Sequence, residues 1–296
     1  MELFKGSGVA LVTPFKNDGE IDYEALRKLI DFQINNNTDA IIITGTTGES
    51  STLSYVEHLS VIEECINYVD GRIPVIAGTG SNCTKSAIQM SKDAENLGAD
   101  GLLIVTPYYN KTTQEGLINH YTKISDKVDI PIILYNVPSR TGLNIEPNTV
   151  KVLTENTENI KGIKEASGNI KNISEIKEML GDKIKIYSGN DDQIVPILSL
   201  GGEGVISVIA NILPKETHDL VINYLNGNIE LSKKEQLKML KLIRELFREV
   251  NPIPIKAALE EMNMINGYLR EPLIKMKNEN KNQLIKEMKN YGIKGI

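Results

Sequence analysis

The chain has 296 residues, about twice the ~150 of a typical domain but within reach of an α/β barrel of roughly 200 to 250 residues carrying an appendage. A hydrophobic fraction of 41% and a charged fraction of 24% lie near the globular average and exclude a disordered, collagenous or coiled-coil chain. Thirty-three Lys and Arg against 39 Asp and Glu leave a net charge of −6, interspersed rather than blocked, so neither nucleic acid nor anionic membrane is an expected partner.

Short apolar, β-branched runs recur along the chain, most of them ending at a turn signal. In order they are Val9 to Val12 before Thr13-Pro14, Ala40 to Ile43 before Gly45, Val75 to Ala77 before Gly78, and Gly101 to Val105 before Thr106-Pro107. The series continues with Ile132 to Tyr135 before Asn136, Ile160 to Lys164, Ile184 to Tyr187 before Gly189, and Gly204 to Val208. Between them, sets such as Leu26, Leu29, Ile30 and Gln33-Ile34, or Ala87, Met90, Ala94 and Leu97, space residues three and four apart as a helix does. The second set stops at Gly98, placed for the left-handed position after a helix. Strand starts fall close to the ~30 residues of a strand-helix-strand unit apart, and parallel repetition of that unit predicts a (β/α)8 TIM barrel over residues 1–226. Lys215 to Tyr224, Ser232 to Val250, Pro254 to Met264 and Pro272 to Tyr291 then read as helices, broken at Asn251-Pro252 and Gly267. One closes the barrel, and residues 227–296 form a C-terminal helical region.

Cys65 and Cys83 are the only cysteines, too few to staple a chain of this size, which fits a reducing compartment. Glu2 stands where a leader peptide wants positive charge, and no run approaches the ~18 apolar residues of a membrane span. The expectation is a soluble cytoplasmic protein.

In barrels of this kind active sites gather at the C-terminal ends of the strands. Those ends carry Thr13, Thr46-Thr47, Gly78-Thr79, Tyr108-Tyr109, Tyr135, Lys164, Gly189 and Ile206-Ser207. Side-chain alternation puts Gly162 and Lys164 on one face and Ile163 on the other. With Ile163 packed on the helices, Lys164 points into the barrel, where desolvation favours a neutral amine suited to attack a carbonyl; alternatively it pairs with Glu165 or snorkels from the strand end. Lys185, at the start of its strand, belongs to the opposite face. Tyr135 neighbours Lys164 and is either a proton carrier for that chemistry or a packing tyrosine with a satisfied hydroxyl. Gly45-Thr46-Thr47-Gly48-Glu49 is either a cradle for a small carboxylate or an ordinary turn into a helix. Arg140 is suited to a bidentate grip on a carboxylate, or is a solvated surface residue. Phosphate-loop and dinucleotide motifs do not occur, and His58, His120 and His218 lack metal-like spacing. Lysine-based chemistry with no metal and no cofactor is expected.

Four segments, Gly45 to Ser50, Thr106-Pro107-Tyr108-Tyr109-Asn110, Tyr135 to Gly142 and Gly162 to Gly168, resemble the signatures of the dihydrodipicolinate synthase and N-acetylneuraminate lyase family. The likeness runs in order from Gly6 through Pro272, including Ser188-Gly189, Gly204-Val205-Ile206-Ser207 and Asn251-Pro252-Ile253-Pro254. It implies that Lys164 forms a Schiff base with pyruvate and that the enamine attacks L-aspartate 4-semialdehyde on the way to lysine and diaminopimelate. It makes Tyr135, Thr46 and Tyr109 a proton relay, with Tyr109 supplied by the neighbouring subunit. Thr47 then contacts the pyruvate carboxylate, Arg140 the semialdehyde carboxylate, and Gly189 and Ile206 line the site through backbone carbonyls. A homotetramer built as a dimer of dimers is also implied.

A sister pyruvate aldolase, such as N-acetylneuraminate lyase or a 2-keto-3-deoxy sugar acid aldolase, would share Lys164, Tyr135 and the threonine loop; the Ser139-Arg140 pair argues for the synthase. A barrel that binds a keto acid without catalysis is disfavoured because the lysine, both tyrosines and the threonine pair are all in place. The resemblance also maps an L-lysine cleft onto Ser50, Tyr55, His58, Asn82, Ser86 and Tyr108. Inhibited relatives carry histidine at the Tyr55 position and glutamate at the Ser86 position. An ammonium taken out of water needs an anionic partner, so inhibition is expected to be weak or absent unless Glu57 or Glu49 substitutes.

Overall fold

The computed structural model describes residues 3–296; Met1 and Glu2, the latter the residue weighed against a leader, lie outside them. Eight parallel strands, β1 (Gly6–Ala10), β2 (Ala40–Ile43), β3 (Val75–Gly78), β4 (Gly101–Val105), β5 (Ile132–Asn136), β6 (Ile160–Glu165), β7 (Lys185–Ser188) and β8 (Gly204–Ser207), close in sequence order into a barrel. Helices α1 (Tyr23–Asn35), α2 (Tyr55–Val69), α3 (Thr84–Asn96), α4 (Gln114–Ser125), α5 (Pro138–Thr141), α6 (Pro147–Asn156), α7 (Ile170–Leu180) and α8 (Ile194–Ser199) alternate with them. After β8 come α9 (Pro214–Leu225), α10 (Ile229–Leu246), α11 (Ile253–Glu261) and α12 (Asn278–Tyr291). The expected (β/α)8 barrel with C-terminal helices is the fold observed.

Strand alternation sorts the core into two. Ala40, Ile42, Ile76, Leu103, Ile133, Tyr135, Tyr187 and Ile206 fill the interior with Leu3 and Phe4, while Ile41, Ile43, Leu102, Ile104, Leu134, Ile163 and Ile186 face the helices. The outer cluster also contains Met239, Leu242, Leu246, Ile255, Leu259, Leu284 and Met288, so the C-terminal helices share it. Phe4 and Tyr187 stack 4.6 Å apart at the N-terminal end, and the Tyr187 hydroxyl donates to the Phe4 carbonyl at 2.5 Å. Lys185 belongs to that end, its Nζ 3.4 Å from the Leu3 carbonyl.

Several boundaries differ from the sequence expectation, helix α10 also starting at Ile229 rather than Ser232 and α11 ending at Glu261 rather than Met264. The first strand forms at Gly6–Ala10 rather than Val9 to Val12, because pairing with Gly204–Ser207 and with β2 sets its span. Gly8 is needed there, since a Cβ would lie 2.5 Å from Ile42 and 2.7 Å from Phe4. The last helix begins at Asn278 rather than Pro272: Leu273 N closes a turn on the Arg270 carbonyl, and Glu249 anchors the true start by accepting from Lys277 N and Asn280 Nδ2. Helix α10 ends at Leu246, not Val250, and the chain then turns to deliver Asn251 to the barrel mouth. Cys65 and Cys83 are free thiols, and no helix among the described residues is long and apolar enough to cross a membrane.

Candidate active site

Tyr135, Lys164 and Tyr187 are register partners on β5, β6 and β7. Both tyrosines belong to the interior cluster, so Lys164 points inward between them while Ile163 packs on the helices. Lys164 is only 6% exposed, and its Nζ lies 4.3 Å from the centroid of the Tyr135 ring. Glu165 is not its partner. That carboxylate turns outward and accepts from Asn136 Nδ2 at 3.0 Å, Asn172 Nδ2 at 2.9 Å and Ser167 N at 2.8 Å. Nor does the Tyr135 hydroxyl find a hydrogen-bond partner among the described residues, although the ring is buried. The two bland alternatives for this pair, an ion-paired lysine and a satisfied packing tyrosine, are not what the barrel contains.

Above this pair, Thr46, Gly78, Gly80, Leu103 and Val105 line a recess of about 40 Å³ with Tyr135. It shares Thr46, Ser50, Gly80 and Val105 with a cavity of about 380 Å³ that also meets His58, Tyr108, Val137 and Arg140. The loop after β2 is tightly held. Thr44 and Glu49 adopt left-handed φ of 52° and 53° at its two ends, Glu49 N donates to the Thr46 carbonyl at 3.1 Å, and Thr13 Oγ1 donates to the Gly48 carbonyl at 2.7 Å. Thr13 is thus a buttress. A Cβ at Gly48 would lie 3.1 Å from the Leu11 carbonyl, which accounts for that glycine.

The single turn α5 lifts Arg140 to the cavity rim, where it is exposed and donates from NH2 to the Asn251 carbonyl at 3.0 Å. Asn251 Nδ2 donates to Thr47 Oγ1 at 2.9 Å, while its Oδ1 is buried without a partner. One residue therefore ties together the two positions expected to bind carboxylates. Sequence reasoning took Asn251-Pro252 only as a helix break; its presence in a shared motif was the available signal. Asp191 was also missed. It is buried at the seventh strand's end, its Oδ2 accepts from Val208 N at 3.1 Å and Ile209 N at 2.9 Å, and burial pushes its carboxyl up against the opposing pull of Ser207, those amides and the Lys164 charge.

Gly189 sits where a Cβ would lie 2.6 Å from that of Ala166, and Ile206 is fully buried inside the barrel. Tyr109 does not line its own chain's cavity: it is 93% exposed at a φ of 70°, beside Tyr108, which does line it. Of the six positions mapped to an L-lysine cleft, Ser50, His58 and Tyr108 line the larger cavity, and Asn82 Nδ2 donates to the Tyr108 carbonyl at 3.2 Å. Ser86 hydrogen-bonds the Cys83 thiol, and the Tyr55 hydroxyl binds Asp93 over a separate groove. Among the described residues no carboxylate lines the larger cavity. Both possible substitutes are engaged elsewhere, Glu49 with Lys256 and Glu57 with Arg270, whose hydrogen bond holds the Glu57 carboxyl down at about 2.

The three histidines stay apart: His58 Nε2 meets the Gly78 carbonyl, His120 Nδ1 meets Thr84 Oγ1, and His218 Nδ1 meets Asp39. Among the described residues no three His, Cys, Asp or Glu side chains gather as metal ligands would.

A lysine with no ionic partner among the described residues, against a tyrosine whose hydroxyl none of them engages and beneath a threonine loop at the C-terminal mouth, gives this (β/α)8 barrel an arrangement that can place an amine nucleophile against a carbonyl. The chain matches the model of the dihydrodipicolinate synthetase family over residues 3–291 and belongs to that family. It is 60% identical over 293 residues to the 4-hydroxy-tetrahydrodipicolinate synthase of Caldicellulosiruptor bescii, covering 99% of each chain. Among solved structures it resembles the dihydrodipicolinate synthase of Aquifex aeolicus with a TM-score of 0.96 at 46% identity, covering 98% of this chain and 99% of that one. It resembles equally the chloride-inhibited dihydrodipicolinate synthase of Acinetobacter baumannii complexed with pyruvate, with a TM-score of 0.96 at 44% identity and coverage of 98% and 99%.

Proposed function

We propose that the protein condenses pyruvate with L-aspartate 4-semialdehyde through a Schiff base on Lys164, giving 4-hydroxy-tetrahydrodipicolinate in lysine and diaminopimelate biosynthesis. The carrying observation is the Lys164 Nζ lying 4.3 Å from the Tyr135 ring centroid, with neither polar group hydrogen-bonded or ion-paired among the described residues. The amine of Lys164 adds to C2 of pyruvate, water leaves, and the iminium forms. Loss of a methyl proton gives the enamine, whose carbon attacks the aldehyde carbon and takes the aldehyde oxygen to a hydroxyl. The substrate's own amino group then adds to C2 and expels the lysine, closing the ring with net loss of one water.

In this reading Tyr135 and Thr46 carry protons to and from these centres, Thr47 holds the pyruvate carboxylate, and Arg140 holds that of the semialdehyde, with Gly189 and Ile206 lining the site. Tyr109 completes the relay of a neighbouring subunit in a homotetramer, consistent with its 93% exposure in its own chain. No metal or cofactor takes part.

Borohydride reduction in the presence of pyruvate tests the first step, and a coupled assay with aspartate semialdehyde tests the second. Irreversible mass on the Lys164 peptide alone, with activity surviving chelation, is expected. Labelling at Lys161 or Lys185, or none, removes the assignment; turnover of N-acetylneuraminate would instead favour the sister lyase. Mixed dimers of Lys164→Ala and Tyr109→Phe chains should regain activity at one site, and no recovery would return Tyr109 to its own chain.

A further inference from the structure

The steps above leave one fully buried ion pair unused, that of Lys256 with Glu49. Lys256 lies on α11, and its Nζ also donates to the Tyr268 carbonyl at 2.8 Å and sits 4.2 Å from the centroid of the Phe15 ring. Burial pushes its ammonium down to about 8, against the pull of the Glu49 charge. Glu49 Oε2 accepts from Arg270 N at 3.1 Å. The Arg270 guanidinium reaches Gly19 O at 2.8 Å, Thr52 O at 2.9 Å and Glu57 Oε2 at 3.0 Å. Residues 256–270 thus grip the loop after β1 and the residues that follow the threonine loop.

Two features make this an unusual choice for packing alone. Taking two charges out of water is costly, and an apolar pair would fill the space at least as well. Glu49 also holds a φ of 53°, a left-handed conformation that glycine adopts freely and glutamate only with strain. The chain keeps a strained, buried glutamate two residues after Thr47, at the point where the loop closes on the Thr46 carbonyl.

We propose that Lys256, Glu49 and Arg270 are positioning residues that hold the Thr46-Thr47 loop in its pyruvate-binding conformation, which makes the C-terminal region part of the site. The inference rests on Thr47 being the pyruvate-carboxylate contact. Arg140 takes no hydrogen bond from these three residues; it is held by the backbone carbonyl of Asn251, whose side chain independently meets Thr47, so the second substrate's contact keeps its own support when the trio is altered.

The test uses Lys256→Met/Glu49→Gln, which removes both charges and leaves no unpaired one. Its fold is checked by a cooperative melt, and its kinetics by separate KM values for the two substrates. Hydrogen exchange is followed over residues 44–52 with and without pyruvate. The pyruvate KM should rise about tenfold, the scale of one well-placed hydrogen bond, while the semialdehyde KM at saturating pyruvate stays within about twofold. Loop amides should exchange faster and strand amides at the parental rate. A folded double variant with parental pyruvate KM and loop exchange overturns the proposal, as does equal weakening of both substrates, the mark of a merely structural pair. If that variant does not fold, Lys256→Gln/Glu49→Gln decides: two carboxamides can hydrogen-bond with no buried charge left unpaired, and a smaller pyruvate-selective rise supports the proposal while none overturns it. A parent that borohydride fails to label at Lys164 removes the functional reading instead; loop exchange then judges the positioning role alone, and unchanged exchange overturns it.

Discussion

Tyr135 and Tyr187 flank Lys164 in the same register, one strand to either side, yet they finish opposite ends of the barrel. Tyr187 closes the N-terminal end, stacked on Phe4 with its hydroxyl bonded to the Phe4 carbonyl. Tyr135 faces the C-terminal recess with a hydroxyl that no described residue engages. An intramolecular hydrogen bond is worth about 0.5–1.5 kcal/mol net, so the upper end, whose hydroxyl opens on the recess with no described partner, forgoes a contribution that the lower end makes.

The sharpest way to break this comparison is to remove each hydroxyl in turn. Tyr135→Phe should leave thermal stability unchanged or slightly raised while turnover falls at least about 10²-fold, the usual worth of a positioned proton carrier. Tyr187→Phe should do the reverse, costing roughly 1–3 kcal/mol in denaturant unfolding through the orphaned Phe4 carbonyl, with turnover kept. If Tyr135→Phe stays active, the free hydroxyl is incidental.

A buried polar atom without a partner lies on α4. His120 is buried, its Nε2 has no partner, and burial pushes its pKa down to about 4. An unfolded histidine titrates near 6.5, so between those values the unfolded chain takes up a proton that the folded one refuses. Stability is therefore fully present above about 6.5 and falls as pH drops toward 4, by on the order of 3 kcal/mol in all. Unfolding free energies across that window should show the slope in the parent and a shallower one in His120→Gln; identical slopes would place the acid sensitivity elsewhere.

Within the upper end, Arg140→Ala should separate the two half-reactions. Loss of a charge-assisted contact is expected to cost about 1.5 to 3 kcal/mol in kcat/KM for the semialdehyde, with pyruvate trapping on Lys164 unaffected. Equal damage to both would make Arg140 structural. The smallest effect concerns L-lysine. Among the described residues the larger cavity offers Ser50, His58, Tyr108 and Arg140 but no carboxylate to meet an ammonium, so calorimetry and inhibition at millimolar lysine should both show little. Micromolar binding with inhibition would contradict that.

Much of the architecture was legible because it is local. The β-branched runs mark every strand from β2 to β8 to within a residue or two, Gly98 ends α3 at a left-handed φ of 96°, and the parity of Ile163 and Lys164 alone aims the lysine inward. The threonine loop and Arg140 were visible as motif residues. What they touch was not: Thr47 is held by a residue 204 positions away, and Glu49 by one 207 positions away.

By itself the sequence determined the alternation of strands and helices, the barrel they close and the face on which Lys164 lies, because periodicity and turn chemistry act between near neighbours. Only the tertiary structure decided which polar groups are satisfied. It bound Glu165 into an asparagine cage, left Lys164 and the Tyr135 hydroxyl open, moved the first strand onto glycines, and turned Tyr109 out of its own site. Hydrogen-bond partners and close backbone contacts depend on which distant segments meet once the barrel closes, and no local pattern carries that information.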